Sequence, residues 1–258
     1  MPSPDDALDH LALLPAQVDA LLAEVDDVGL RAAVPACPGW DVAALLDHLG
    51  GTYRWAAAML RSGTTERARY RDVVPAPGPD PRTWLRESAD DVLEALRGTS
   101  PDAPAWTFGP ELRASFWPRR LLHESAVHTA DVALAAGRAP WVPAAVARDG
   151  VAEHLLVVPT NPGVVTRAAA LSPADPVHLR LEETGAPGAA GAWLLRWDAS
   201  GSTPCGTGTG AAAAAPRPDV VVRGGASELL LALWRRTDDV VVEGDAGAWK
   251  RWSDAHAL

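Results

Sequence analysis

Cysteine is scarce in this chain: Cys37 and Cys205 are the only two among 258 residues. Two thiols cannot build a disulfide scaffold or a cysteine-rich zinc site, so a cytoplasmic protein is the default expectation. Long hydrophobic runs are missing as well, and no apolar stretch reaches the ~18 residues of a membrane span. The opening MPSPDDALDH is acidic and helix-like rather than basic and leading into an apolar core, so export is not expected. Basic residues are outnumbered: 23 Lys and Arg stand against 33 Asp and Glu, a net charge of −10. That field repels phosphate backbones, and no local basic patch offsets it, so neither nucleic acid nor a membrane is an expected partner. Isoleucine is absent, Asn161 is the only asparagine and Lys250 the only lysine. All three have AT-rich codons, so their scarcity points to a GC-rich bacterial genome and strips the arginine excess of meaning for phosphate binding.

What remains is ample for folding. Hydrophobic residues make up 48% and charged residues 22%, which excludes wholesale disorder and suits one large domain or two modest ones. Asp5 to Val28 places Leu8, Leu11, Leu14, Val18, Leu21, Leu22 and Val25 at helical spacing, with Pro15 predicting a kink or a late start. After the turn-rich Val34–Trp40, Asp41 stands where an N-cap belongs and a second helix runs to about Arg61. A loop over 62–80 leads to a third helix from Pro81 to Leu96, and a fourth runs from near Pro118 to a C′ glycine at Gly137. Four such helices predict an antiparallel bundle over residues 1–145.

The period then changes. Ala144 to Leu156 reads as helix and 159–163 as a break, within a linker region over 146–175. Residues 176–258 predict a small α+β domain: strands at 177–182 and 192–197 joined by a hairpin at Gly185–Gly188, a strand at 219–223, a helix at 226–236, a strand at 239–243, and a last helix opened by Gly244-Asp245 and carrying Trp249 and Trp252. Cys205-Gly-Thr-Gly-Thr-Gly210 lacks the Lys-Ser/Thr of a phosphate loop and reads as a flexible connection.

The chemistry-bearing stretch is His123-Glu124-Ser-Ala-Val-His128-Thr-Ala-Asp131. Four residues are about 40° apart on a helix, so Glu124 and His128 share a face with Asp131, while His123 points elsewhere. A carboxylate and an imidazole at that spacing can give two ligands to a divalent metal, although such pairs also occur on surfaces or as core hydrogen bonds. A catalytic zinc takes three protein ligands, and a third would come from another helix of the bundle. His48 in the second helix is the candidate, on a largely apolar face in line with Asp41 and Trp55; a packed core histidine is the alternative. Trp40 or Trp55 could line the mouth of such a pocket. Cys37, without a cationic neighbour in sequence, reads as a small packed residue rather than a nucleophile.

The stretch Val34-Pro-Ala-Cys-Pro-Gly-Trp-Asp-Val-Ala-Ala-Leu-Leu-Asp-His48-Leu-Gly, followed about 75 residues on by His123-Glu124-x-x-x-His128-x-x-Asp131, resembles the mycothiol-dependent maleylpyruvate isomerase family of DinB-like metalloenzymes. The segment Arg223-Gly-Gly-Ala-Ser-Glu-Leu-Leu-Leu-Ala-Leu-Trp-Arg-Arg236, with Val242-Glu-Gly-Asp245, is similar to that family's sterol-carrier-like C-terminal domain. The resemblance implies metal ligation by His48, Glu124 and His128. It also implies an active-site arginine at Arg236, with Arg235 as the alternative because two arginines stand where the family has Gly-Arg. Mycothiol, the thiol of actinobacteria, is the implied cosubstrate, and zinc the expected metal for two imidazoles and one carboxylate.

The expected function is that of a cytoplasmic metal-dependent thiol S-transferase or thiol-dependent isomerase, monomeric or homodimeric. A metal-bound thiolate would attack a small electrophilic organic acid or a secondary-metabolite intermediate. Two alternatives stand beside it: a binder of small apolar ligands with a structural metal, and a hydrolase using metal-bound water with Asp131 as base.

Overall fold

The computed structural model describes residues 8–185, 191–207 and 217–257. The chain divides into two compact units, residues 1–140 and 141–258.

The first unit is helical. Helix α1, His10–Val28, starts late: Asp9 caps it by accepting from the Ala12 N–H, and Pro15 sits inside it. Helix α2, Val42–Ser62, is capped by Asp41, whose carboxylate accepts from the Ala44 N–H, as the sequence predicts. The 62–80 stretch, expected to be loop, holds one short turn of helix, α3 at Tyr70–Val73. Helix α4 spans Pro81–Gly98, with Asp80 accepting from the Arg82 and Thr83 N–H groups and Pro81 at the first helical position.

Helix α5, Phe116–Ala135, begins two residues before the expected Pro118. It ends as predicted, with Gly137 at φ +69°. The Gly137 N–H donates to Leu134 O and the Arg138 N–H to Ala133 O, the paired bonds that close a helix through a left-handed residue.

Four long helices share one core. Helix α1 packs on α4 and α5, and α2 packs on the same two. Leu14, Leu21, Leu45, Leu46, Leu49, Met59, Leu85 and Leu121 are fully buried between them. Gly50 permits the closest approach of α2 and α4. A Cβ there would lie 2.3 Å from Trp84 Nε1, the indole nitrogen that donates to the Asp47 carbonyl.

The second unit opens with α6, Ala144–Val157, a 3-10 turn at Val158–Thr160, and α7, Pro162–Leu171. The expected break at 159–163 is therefore short, and the 146–175 stretch is mostly helical. Helix α7 buries only Val164 and Ala168, too thin an apolar stripe to declare itself by period. Five strands follow the order β3-β2-β1-β4-β5. Strands β1 (Val177–Glu183) and β2 (Ala192–Asp198) pair antiparallel as expected; their connection at 186–190 lies outside the described residues.

Strand β3, Gly201–Thr207, corrects the reading of Cys205–Thr207 as flexible; residues 208–210 are outside the described set. It is an edge strand, which is where a ladder tolerates Pro204, and its pairing with β2 slips between Leu194 and Leu195. Neither feature leaves an alternating pattern to read. Strand β4 (Val220–Gly224) runs parallel to β1, and β5 (Val241–Gly244) closes the far edge antiparallel to β4. Helix α8 spans Ala226–Leu233, stopping three residues before the expected Arg236 because Arg235 takes φ +60°. Helix α9, Ala246–Ala255, is capped by Asp245 as predicted. Leu179, Leu181, Leu195, Trp197, Val220, Val222, Leu229, Leu230 and Trp252 form the buried centre of this unit.

Candidate metal centre

The face of α2 that carries Leu45, Leu49 and Tyr53 into the core also carries His48, and α2 packs against α5. One cross-link fixes their register: Tyr53 Oη and Ser125 Oγ are 2.5 Å apart, one residue from Glu124. Burial pushes the Tyr53 hydroxyl upward from its ordinary range, so it stays protonated for that bond. Across this seam His48 Nε2 lies 3.4 Å from Glu124 Oε1, and His128 Nε2 lies 3.3 Å from the same oxygen. The three donor atoms all fall within 4.8 Å of one another. The three residues named from helical spacing and from the family resemblance are thus brought together.

Around them stands a second layer. Asp131 Oδ2 lies 2.9 Å from His128 Nδ1 and accepts its hydrogen bond, which turns Nε2 toward Glu124. This corrects the expectation of Asp131 as a base: its side chain is fully buried and engaged by its own helix neighbour. Arg120, one turn before Glu124 and buried, donates from Nη2 to Glu124 Oε2. The thiol of Cys37, half-buried in the turn before α2, donates to Asp131 Oδ2 at 3.8 Å.

Sequence reasoning missed Arg120 as a neighbour of the site, although its i, i+4 spacing to Glu124 was there to read. Cys37 had no such signal, because its partner lies on another element.

Charge and exposure give the site a direction. Burial opposes the charge on Glu124, but the Arg120 guanidinium, with hydrogen bonds from His128 and His48, holds its carboxyl well below the usual range. Burial likewise opposes protonation of His128, yet Asp131 and Glu124 together push it up to about 9. Side-chain exposure falls from 39% at His48 through 18% at Glu124 to 8% at His128 and none at Asp131, so solvent reaches the cluster from the α2 side. Trp40 stands on that side, its ring centroid 4.9 Å from that of His48. Trp55 does not: it is 5% exposed, donates to the Ala68 carbonyl and packs among Trp106, Phe108 and Trp117. His123 is fully buried, with its ring beside His10.

Two nitrogens and one carboxylate oxygen, with an outer carboxylate orienting one imidazole, form a donor set that fits a divalent transition metal. In the C-terminal unit, Arg236 donates from Nη1 to the Trp234 carbonyl at 2.7 Å and lines a cleft of about 470 Å³ with Arg235, Asp238, Trp249, Lys250 and Asp254. Arg235, the alternative, pairs with Asp254 Oδ1 at 3.4 Å.

Among the described residues no helix is long and apolar enough to cross a membrane. Comparison with curated proteins gives no match. Among solved structures, the chain is similar to a crystal structure of the mycothiol-dependent maleylpyruvate isomerase at 15% identity and TM-score 0.60, covering 94% of this chain and 96% of that one. A histidine-to-alanine mutant of that enzyme matches at TM-score 0.61 with the same identity and coverage. At that identity the likeness shows the fold. Residues 11–133, which hold every donor of the cluster, match the family model for the mycothiol maleylpyruvate isomerase N-terminal domain. Those residues are thus similar to the N-terminal domain of mycothiol maleylpyruvate isomerase.

Proposed function

We propose that this chain is a metal-dependent, thiol-using enzyme, an isomerase or S-transferase acting on a small electrophilic organic acid or a secondary-metabolite intermediate, with mycothiol as cosubstrate. The observation that carries the reading is the convergence of His48 Nε2, Glu124 Oε1 and His128 Nε2, with His128 Nδ1 committed to Asp131. A divalent cation held by the three, zinc by the match of ligand types, would supply the Lewis acidity that keeps a thiol ionised at neutral pH.

The chain's own residues set the rest. Asp131 fixes the tautomer of His128 and so aims its lone pair. Arg120 and the two imidazoles keep Glu124 ionised in a partly buried position. His48 and Trp40 border the solvent-facing side, where substrate and thiol must enter. Arg236 offers a planar fork to a substrate or thiol carboxylate. In the isomerase version the thiol sulfur adds to a cis double bond, the resulting single bond rotates, and elimination returns the trans isomer and the free thiol. In the transferase version the adduct is the product. The family name, a mycothiol-dependent isomerase, supports the first version.

The hydrolytic reading loses its base, because Asp131 is buried against His128. The apolar-ligand reading gains nothing from the C-terminal cleft, half of whose lining residues are charged. Elemental analysis tests the proposal: the wild type is expected to hold one divalent metal per chain, and His48→Ala, Glu124→Ala and His128→Ala each to lose most of it. Full stoichiometry in all three variants would overturn the assignment.

A further inference from the structure

The two oxygens of Glu124 are not equivalent. Oε1 faces both imidazole nitrogens, at 3.4 Å from His48 Nε2 and 3.3 Å from His128 Nε2, whereas Oε2 is held by Nη2 of Arg120. Arg120 lies on the same helix one turn earlier and is 6% exposed, so its guanidinium is anchored by packing as well as by charge. A charge-assisted bond at a site with little solvent is far stronger than an exposed ion pair. A carboxylate free at both oxygens can chelate, and zinc accepts a fifth ligand.

We propose that Arg120 is a positioning residue that restricts Glu124 to one donor oxygen and thereby keeps a coordination position free for the thiol. The inference rests on the metal reading above and adds to it the control of how many positions the protein fills. Losing Arg120 would let Oε2 swing onto the metal as a further donor, so the metal stays while the thiol binds more weakly. That pattern separates Arg120 from His48, Glu124 and His128, whose loss removes the metal itself. It also separates it from a merely structural arginine, whose loss would lower stability without changing the ligand field.

Cobalt(II) loaded in place of the native metal reports both quantities by its visible spectrum, with N-acetylcysteine as the thiol probe. The wild type is expected to show the intense bands of four-coordinate cobalt and a sulfur-to-cobalt charge-transfer band that saturates with thiol. Arg120→Met is expected to bind the same amount of cobalt, to show the weaker bands of five-coordination, and to need on the order of tenfold more thiol, the usual size of an outer-partner effect. A variant matching the wild type in spectrum and titration would overturn the proposal, and so would a folded variant that loses its cobalt. A wild type that takes up no cobalt would instead overturn the metal reading. Should Arg120→Met fail to fold, X-ray absorption on the zinc-loaded wild type decides. One carboxylate oxygen in the first coordination shell is expected, and two would refute the role given to Arg120.

Discussion

At His128, imidazole chemistry is set by two carboxylates acting against burial. Nδ1 donates to Asp131 and Nε2 faces Glu124, and the ring is pushed up to about 9. A metal can take the Nε2 lone pair only after the proton there has left. Well below pH 9 the neutral fraction of the ring grows close to tenfold per pH unit, so apparent metal affinity is expected to rise by about that slope between about pH 6.5 and 8. Competition against a chromophoric chelator across that range measures it, and a flat profile would contradict the assignment of His128 as a ligand. Asp131→Ala removes the acceptor that fixes the tautomer. Metal affinity should fall about ten- to a hundredfold in the same assay, with secondary structure retained. Unchanged affinity would leave Asp131 a packing residue only.

Helices deliver the site, and α2 delivers it through its cap. Asp41 accepts from the Ala44 N–H, pairs with Arg31 at 3.2 Å, and starts the helix seven residues before His48. Asp41→Ala is expected to cost ~1 kcal/mol in thermal or urea unfolding, the ordinary worth of an N-cap side chain. The backbone bond to Ala44 also holds the Asp41 carboxyl below its ordinary value, so this contribution is present above about pH 3.8 and lost as acid protonates it. An unchanged unfolding midpoint would contradict the capping role. The caps at Asp41 and Asp245, the Gly137 stop and the 3.6-residue spacing of Glu124 and His128 were legible in the sequence because they are local: each depends on residues within a turn of one another. Helix α7 and strand β3 were not, because one buries almost nothing and the other is an edge with a proline and a slipped register. The clustering of Glu124 with His128 was likewise legible from helical spacing, and that of His48 with them from the family resemblance. The contact of Cys37 with Asp131 joins positions 94 residues apart and has no local signature.

Over the whole chain the two units carry different sensitivities. In the C-terminal unit His256 is 2% exposed, donates from Nδ1 to the Trp252 carbonyl and stacks on the Trp252 ring. Burial, helped by the charge of Arg167, pushes it down to about 4. The unfolded chain therefore binds a proton that the folded chain refuses between about pH 6.5 and 4. Stability is complete above that window and falls by up to about 3 kcal/mol as pH drops through it. Urea unfolding followed at pH 7, 5.5 and 4 should show the loss, and His256→Phe, which keeps the stack, should flatten it. An equally steep acid limb in that variant would place the sensitivity elsewhere. Arg236→Ala is expected to weaken thiol or substrate binding while leaving metal content intact, and loss of metal from that variant would contradict its role as a carboxylate anchor. The central claim is that a metal held by His48, Glu124 and His128 ionises a thiol, and calorimetry of mycothiol binding in two buffers of different ionisation enthalpy tests it most directly. The account predicts release of about one proton near neutral pH from the metal-loaded protein and no binding without metal. Equal heats in both buffers, or equal binding to metal-free protein, would contradict it.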